Sequence, residues 1–556
     1  MELAEIVVRV LEKEGISDAF GIPGAGINPV YKYLGDSPIR HHVVRHEEAA
    51  VHAADGYYRS SGKLAAAICT SGPGATNFVT GLYTAKIDSI PLIAITGQAK
   101  KNQLGTDAFQ CVDIAAIAAT VVKKSLCVLE PSGIVEVLKE AIWTAKEGRP
   151  GPVLIDLPLD VQMAQVEADL SSYVPLPVVR KTPDPEKVRQ AVELLDKAEK
   201  PIIIIGGGVI LSHAEKELVE FAEYMNIPMI TTYMAKGALP ENHRLNAGQV
   251  GIQVGANSSG NALFLESDVV LGVGCRFTDR HTGALDIYAG NRKFIHVDVD
   301  PKEIGKLIKP EIGIESDALE AAKALLSAAR AQGPVRPGAA RAANIASLKA
   351  ASERKGRMSG DVIDPRDVYM AVNEVFGDDS LFTTGCGLNQ IWSGQYQKVN
   401  KPRHYLPSGG AGTLGFDIPA AIGASIGAGK KKAVCMMGDF GFTFMVEELA
   451  VAAKYELPLV VIILNNEYLS LIRQNQKYAY GYEYEVAMRE NKGFVNYLKV
   501  ADGFGCKAER VASYQELAPA LERAKKASAP YVVEILVEDE TDCDMGNDIA
   551  HIKMFA

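Results

Sequence analysis

Along this chain short apolar runs alternate with amphipathic stretches, and many of the runs end in a glycine. Residues 433–437 (Ala-Val-Cys-Met-Met) and 459–464 (Leu-Val-Val-Ile-Ile-Leu) read as buried strands, as do 64–69, 91–96, 201–205, 269–273, 294–299 and 381–384. Between them, residues 2–14 set Ile6, Val7, Val10 and Leu11 at helical spacing, and 49–60, 185–198, 367–376 and 419–426 also read as helices. A further helix is expected to start near Met445. Repeated strand–glycine turn–helix units imply parallel sheets with helices on both faces. The expected fold class is α/β, with three doubly wound parallel-sheet domains over residues 1–168, 185–330 and 360–556. Residues 170–184 contain several prolines and no strand pattern, and form a linker. Residues 326–365, rich in Ala, Arg, Gly and Ser with helical stretches, read as a second linker.

The length of 556 residues suits about three domains of ordinary size. A net charge of −10 is mild over that length and argues against a nucleic-acid binder, which would carry a basic patch or stripe. No run approaches the roughly 18 apolar residues of a membrane span. The acidic start, Met1-Glu2-Leu3-Ala4-Glu5, opens into a helix and does not resemble a secretory signal. The eight cysteines are scattered without a CxxC pair, as expected of reduced thiols in a cytoplasmic protein.

Chemistry concentrates at strand ends. The run 433–437 leads into Gly438-Asp439-Phe440, and 459–464 leads into Asn465-Asn466, so a carboxylate and a carboxamide close adjacent parallel strands. Ligands of open α/β sheets bind at that edge. A hard divalent cation wants oxygen ligands and is readily shared with phosphates. Asp439, the Asn466 side chain and the Tyr468 carbonyl supply such a set. Each also has a plainer reading, Asp439 as a helix N-cap and Asn465-Asn466 as a turn. Residues 70–77 place free N–H groups at a helix start, an anion contact. Glu47 follows a strand and precedes small residues beside which it can be buried. The Gly206-Gly207-Gly208 triplet after a strand is a tight turn or a dinucleotide contact.

The segments FGIPGAGINPVY, RHEEAAVHAADGYYR, TSGPGATN and LGTDAFQ resemble the pyrimidine-binding domain of thiamine diphosphate (ThDP) enzymes of the acetohydroxyacid synthase and glyoxylate carboligase group. The resemblance extends over essentially the whole chain. It implies that Glu47 hydrogen-bonds the aminopyrimidine and promotes the imino tautomer that takes the proton from thiazolium C2. It places Gly24, Thr70, Gly74 and Asn77 around that ring. Gly438-Asp439-Phe440 and Asn466 match the family's diphosphate and Mg²⁺ motif, with Phe440 where many members have a third glycine. Gly385, Cys386, Gly412, Tyr468 and Leu469 join that site by match, and Leu414 matches the apolar wedge between the two ThDP rings. The donor pocket is expected to be lined by Phe109, Gln110, Cys386, Leu471 and Ile472. The middle third, with CRFTDRHTG and KFIHVDVDPKEIGK, resembles the group's FAD-binding domain. There Gly206, Gly207, Gly208, Thr232, Arg276, Arg280, Asp298 and Asp317 face FAD, with Arg149 from the preceding segment. FAD in this group is largely structural.

Branch markers point both ways. Synthases carry Lys where this chain has Leu159, Trp where it has Asn475, and a third glycine where it has Phe440. Those departures, and His281 in RHTG, look like glyoxylate carboligase. Glyoxylate carboligases in turn replace the catalytic glutamate by valine, and Glu47 is present. The implied activity is decarboxylating carboligation of small 2-oxoacids, two glyoxylate giving tartronate semialdehyde, or alternatively two pyruvate giving 2-acetolactate. A lyase acting on a CoA thioester or diketone, and a non-catalytic FAD- or nucleotide-binding regulatory protein, are readings of other classes. The resemblance also implies a homodimer or homotetramer with active sites between subunits; it leaves open whether a regulatory subunit binds.

Overall fold

The computed structural model describes residues 1–255, 258–333, 344–353, 356–488 and 495–543. Three six-stranded sheets organise it, with every strand pairing parallel. The first holds β1 (Asp18–Gly21), β2 (Arg40–Val43), β3 (Ala66–Cys69), β4 (Ile93–Gln98), β5 (Lys124–Cys127) and β6 (Val153–Pro158), in the order β2-β1-β3-β4-β6-β5. The middle sheet holds β7 (Pro201–Ile205), β8 (Met229–Thr231), β9 (Asn246–Gln249), β10 (Val269–Val273), β11 (Lys293–Asp298) and β12 (Ile312–Glu315), in the order β12-β11-β10-β7-β8-β9. The third holds β13 (Leu381–Thr384), β14 (Tyr405–Pro407), β15 (Ala433–Gly438), β16 (Leu459–Asn465), β17 (Lys507–Val511) and β18 (Tyr531–Leu536), in the order β14-β13-β15-β16-β18-β17.

Numbered from its own first strand, the third sheet repeats the order of the first. The middle sheet has the order of a dinucleotide-binding fold. In each, the order reverses at one place, leaving a crevice beyond the carboxyl ends of two neighbouring strands. These places lie between β1 and β3, β7 and β10, and β13 and β15.

The central strands are apolar throughout because helices cover both faces. The first and third sheets share one hydrophobic core, running from Phe20 and Leu92 to Met437 and Ile463. At its centre the helix Glu47–Ser61 crosses the helix Asp417–Gly427. Glycine lets the backbones meet: a Cβ on Gly56 would collide with the Ala420 carbonyl, and one on Gly423 with that of Ala53. The middle sheet has its own core around Phe221, Leu271 and Leu325.

Two expectations shift. Glu47 is the first residue of its helix rather than the end of a strand, with the His46 side chain capping it by accepting from Glu48 N. The helix Ala318–Gln332 continues well past residue 326, because Leu325, Leu326 and Ala329 bury into the middle core. Part of the stretch 326–365 lies outside the described residues. Residues 171–184 contain neither helix nor strand. Among the described residues no helix is long and apolar enough to cross a membrane.

Candidate functional site

The first crevice gathers the residues around Glu47. Gly24 follows β1, and Thr70 follows β3. A Cβ on Gly24 would lie 2.6 Å from the Thr70 Cβ, so only glycine fits there. Thr70 Oγ1 accepts from Gly26 N at 3.1 Å and ties the two strand ends. Asn77 Nδ2 donates to Glu47 Oε2 at 2.9 Å, fixing the carboxylate. A Cβ on Gly74 would sit 3.1 Å from Glu47 Oε1, so the bare backbone there leaves the carboxylate room. Gln110 adopts the left-handed backbone (φ 54°), and its side chain packs where a Cβ on Gly72 would be. Ser71 Oγ donates to Gln110 Oε1 at 3.5 Å.

The third crevice gathers the other half. Gly385 and Cys386 follow β13, and Asp439 follows β15. Asp439 is 2% exposed, and accepts from Phe440 N at 2.9 Å and Glu467 N at 2.7 Å. Burial pushes its carboxyl up to about 7, against those two N–H groups. Asn466 Nδ2 is committed to Ser470 Oγ (2.6 Å) and the Asp539 carbonyl (3.0 Å), which turns Oδ1 toward Tyr468 N at 3.3 Å. Carboxylate, carboxamide oxygen and the Tyr468 carbonyl form a hard oxygen set. Among the described residues no group of three His, Cys, Asp or Glu side chains is placed to hold a metal. Oxygen donors of this kind suit a hard divalent cation that is shared with phosphate oxygens. Gly412, in the left-handed region, would place a Cβ 3.8 Å from Cys386 Sγ. Leu414 is half-buried, its Cδ2 3.9 Å from a Cβ built on Gly441. Phe440 is half-buried and packs on Phe444, ring centroids 5.4 Å apart. Leu469 is half-buried, and its N–H is taken by the Val486 carbonyl at 2.8 Å.

The expected donor pocket does not form as one group within the chain. Gln110 sits in the first crevice. Phe109 beside it is 86% exposed and Ile472 is 50% exposed. Leu471 leans on the outer core of the third domain. Cys386 is on the other half-site. Within the single chain Phe109 and Gln110 belong to the first domain, and Cys386, Leu471 and Ile472 to the third.

The middle crevice opens into a cavity of about 780 Å³ where the three domains meet. That volume is in the upper part of the ~300–1,000 Å³ range of small-molecule sites. Gly207, Gly208, Thr232, Arg276, Arg280, Asp298, Asp317 and Arg149 all line it. Gly206 does not; it lies beneath the turn, where a Cβ would collide with the Gly274 carbonyl. Burial pulls the Arg276 guanidinium down from its usual range, with the neighbouring Arg149 in the same sense. Arg149 reaches across from the first domain, donating to Ser89 Oγ (2.9 Å) and pairing with Glu303 (3.0 Å). Burial pushes Asp298, at the end of β11, up to about 6. Asp317 caps the helix Ala318–Gln332 and pairs with Arg180 at 2.9 Å, so it has a structural task as well. Arginines near glycine N–H groups suit a phosphate, and a buried acid suits a ribose or amine. Arg280 faces two ways: it lines the cavity and also favours the thiolate of Cys386, whose thiol burial pushes up.

Three residues of the site carry no motif signal. Asp417 is buried and accepts from Gly385 N; burial pushes its carboxyl up to about 7. Asn389 donates to the Met436 carbonyl at 3.0 Å and fills the space a Cβ on Gly387 would need. Glu448 accepts from Arg45 N and His46 N. Their partners lie tens to hundreds of residues away in sequence, so the only signal was a polar residue inside an apolar helix or at its start.

Family models agree with this layout. The model described as thiamine pyrophosphate enzyme, N-terminal TPP binding domain, matches residues 1–117; the central domain matches 188–325; the C-terminal TPP binding domain matches 385–535. Glyoxylate carboligase of Escherichia coli O157:H7 is 41% identical over 572 aligned positions, covering all of this chain and 96% of the relative. The acetolactate synthase large subunit of Corynebacterium glutamicum is 39% identical, covering 97% of this chain and 87% of the relative. A probable acetolactate synthase large subunit of Methanocaldococcus jannaschii is 38% identical, covering 97% and 92%. With both crevices furnished and the three family models matched in order along it, this chain belongs to the thiamine pyrophosphate enzyme family and is a ThDP-dependent enzyme related to glyoxylate carboligase and the acetolactate synthase large subunit.

Proposed function

We propose that the chain is a decarboxylating carboligase of small 2-oxoacids whose preferred reaction joins two glyoxylate into tartronate semialdehyde and CO₂. One observation carries the carboligase reading: a half-buried glutamate held by Asn77 and a buried Asp439–Asn466 oxygen set occur in one chain, at equivalent crevices of two sheets with the same strand order. The glyoxylate preference is supported by the end-to-end likeness to glyoxylate carboligase and by Leu159, Phe440 and Asn475. Pyruvate condensation to 2-acetolactate is the second reading, favoured by the intact Glu47 and the synthase relatives.

When bound, ThDP supplies a nucleophilic carbon and an electron sink for the loss of CO₂. The chain's part is to hold and place. Asp439, Asn466 and the Tyr468 carbonyl would hold Mg²⁺, and Gly385, Gly412 and Gly438 would line the place of the diphosphate. Leu414 would pack against the cofactor. Glu47, oriented by Asn77, would hydrogen-bond the aminopyrimidine. The middle cavity holds FAD in a structural role, because condensation with loss of CO₂ is no net redox change. The exposed Phe109 and Ile472 beside the two half-sites favour a homodimer or homotetramer in which a second copy covers them. The domains are taken as 1–168, 185–330 and 360–556, and the free cysteines suit the cytoplasm.

The test is product analysis with ThDP, Mg²⁺ and FAD, offering glyoxylate and pyruvate separately and together. Tartronate semialdehyde from glyoxylate is expected to dominate. Dominant acetolactate would transfer the chain to the synthase reading. Flavin fluorescence released on denaturing the purified protein tests the middle cavity.

A further inference from the structure

The two outer domains grip each other's site loops in the same way. After β2 the chain passes through Val44, Arg45 and His46 to Glu47. The N–H groups of Arg45 and His46 both donate to Oε1 of Glu448, at 2.7 and 3.0 Å. Glu448 belongs to the other domain, in the crossover between β15 and β16, and is 0% exposed. Among the described residues its Oε2 is buried without a hydrogen-bond partner, so the side chain is held by the two N–H groups. The turn that delivers it starts at Met445, in the left-handed region at φ 56°.

The reciprocal contact occupies the equivalent place. After β14 the chain passes through Ser408 to Gly409 and Gly410, on the loop that carries Leu414. The N–H groups of Gly409 and Gly410 donate to Asp88, at 3.1 and 2.8 Å. Asp88 is in the crossover between β3 and β4, the counterpart of the crossover bearing Glu448. Arg59, on the helix that Glu47 opens, pairs with Asp88 at 3.0 Å and donates to the Pro407 carbonyl at 3.0 Å. Two carboxylates in matching crossovers thus take the second and third N–H groups after matching edge strands. An accidental contact would not recur at the same place in both halves.

We infer that Glu448 is a positioning residue for Glu47: it fixes the two peptide groups before Glu47 and so sets where that carboxylate stands relative to a bound cofactor. Backbone N–H groups turned away from water need an acceptor, and Glu448 Oε1 is the one these two share. Removing the acceptor frees residues 45–47 to move by tenths of an ångström. Proton transfer at a positioned base is sensitive to displacements of that size. The inference rests on the role proposed for Glu47.

The experiment compares wild type, E448A, E448Q and E47Q, with three readouts. These are Mg²⁺–ThDP affinity, the rate of C2–H exchange of bound ThDP in D₂O, and amide hydrogen exchange of the peptide spanning 44–48 in the cofactor-free protein. E448A is expected to slow C2–H exchange at least tenfold, to change ThDP affinity less than threefold, and to speed amide exchange at 45–46 without cofactor. E448Q keeps an oxygen acceptor and is expected to restore all three. If E448A does not fold, E448D takes its place, its carboxylate one methylene short of the two N–H groups. Unchanged C2–H exchange in E448A, or E448Q as slow as E448A, overturns the inference. If E47Q itself exchanges at the wild-type rate, it is the reading of Glu47 that fails.

Discussion

The space beside Glu47 can be tested with one methyl group. A Cβ at Gly74 would sit 3.0 Å from Thr70 Cγ2 and 3.1 Å from Glu47 Oε1. Apolar carbon pairs prefer about 3.5–4.0 Å, so the Thr70 contact is about half an ångström too short, and the Glu47 oxygen is also closer than ordinary van der Waals contact. Overpacking of this kind costs about 1–3 kcal/mol. The backbone there is tied into the short helix Pro73–Thr76, whose N–H groups bond back to Gly72 and Pro73, so the side chains must give. Of the two, the carboxylate has the freer path, held mainly by Asn77. Displacement by a full ångström at a reacting group costs about 10²-fold, so a shift of several tenths costs roughly tenfold. G74A is therefore expected to slow C2–H exchange of bound ThDP by about ten times and to leave Mg²⁺–ThDP affinity, set at the other half-site, nearly unchanged. In G74A/T70S the offending methyl is gone, while the hydroxyl still accepts from Gly26 N. The double variant should recover much of the loss, a coupling of about 1 kcal/mol in a double-mutant cycle. Wild-type exchange in G74A, or strict additivity in the double variant, would refute the packing argument.

Three further outcomes are expected. E47Q should bind Mg²⁺–ThDP normally but lose about 10²–10⁴-fold in product formation, the usual worth of a positioned acid–base group; product formation within tenfold of wild type would remove Glu47 from the chemistry. D439A should abolish Mg²⁺-dependent ThDP binding in calorimetry, because the remaining oxygens of Asn466 and Tyr468 carry no charge for the cation. D417N should gain on wild type as pH rises. The Asp417 carboxyl is raised by burial from 3.8 to about 7 in the fold, so the stability it contributes is complete below about pH 4 and lost as pH rises through 7. The difference in urea midpoint between cofactor-free D417N and wild type should grow between pH 5 and 7 by the equivalent of about 1.4 kcal/mol per unit and level off above 7. A flat difference would mean that Asp417 does not titrate there.

The sequence showed its strands and turns more readily than their arrangement. β7, β10, β15 and β16 stood out because they are apolar on both faces, and the turns after β7, β10 and β15 announced themselves by glycine. Strand order is a matter of long-range pairing, and nothing local shows that β10 lies beside β7 or that the first and third sheets repeat. So Asp439 and Asn466 could be picked as a pair across one crossover, whereas Gly206 and Gly207 looked alike until the structure put one beneath the turn and the other in the cavity. Glu448 fell in a helix expected to start near Met445, with nothing local to set it apart from Glu447. Its burial depends on the 45–46 backbone, some four hundred residues away. Arg280 was read as a cofactor contact, and the effect of its charge on the Cys386 thiol depends on how the middle and third domains pack. Phe109 was read as a pocket wall, and in the isolated chain it is among the most exposed apolar side chains.

That exposure bears on where a complete site is formed. Glu47 and Asp439 stand on different domains, and each half-site ends in an uncovered apolar rim at Phe109 or Ile472. If the halves join across two copies, a chain lacking Glu47 and a chain lacking Asp439 can repair each other. In a mixed dimer of E47Q with D439A, one site takes Glu47 from the D439A chain and Asp439 from the E47Q chain and is whole; the other has neither. Random pairing of a closed two-fold dimer makes half the dimers mixed, each with one good site of two, so refolding the two inactive variants together should restore about a quarter of wild-type activity. If the halves join within one chain, every site keeps its lesion and mixing restores nothing. Activity near a quarter would place the reaction between subunits. Activity at the level of the separate variants would place it within a single chain and leave Phe109 and Ile472 without the covering role proposed for a second copy.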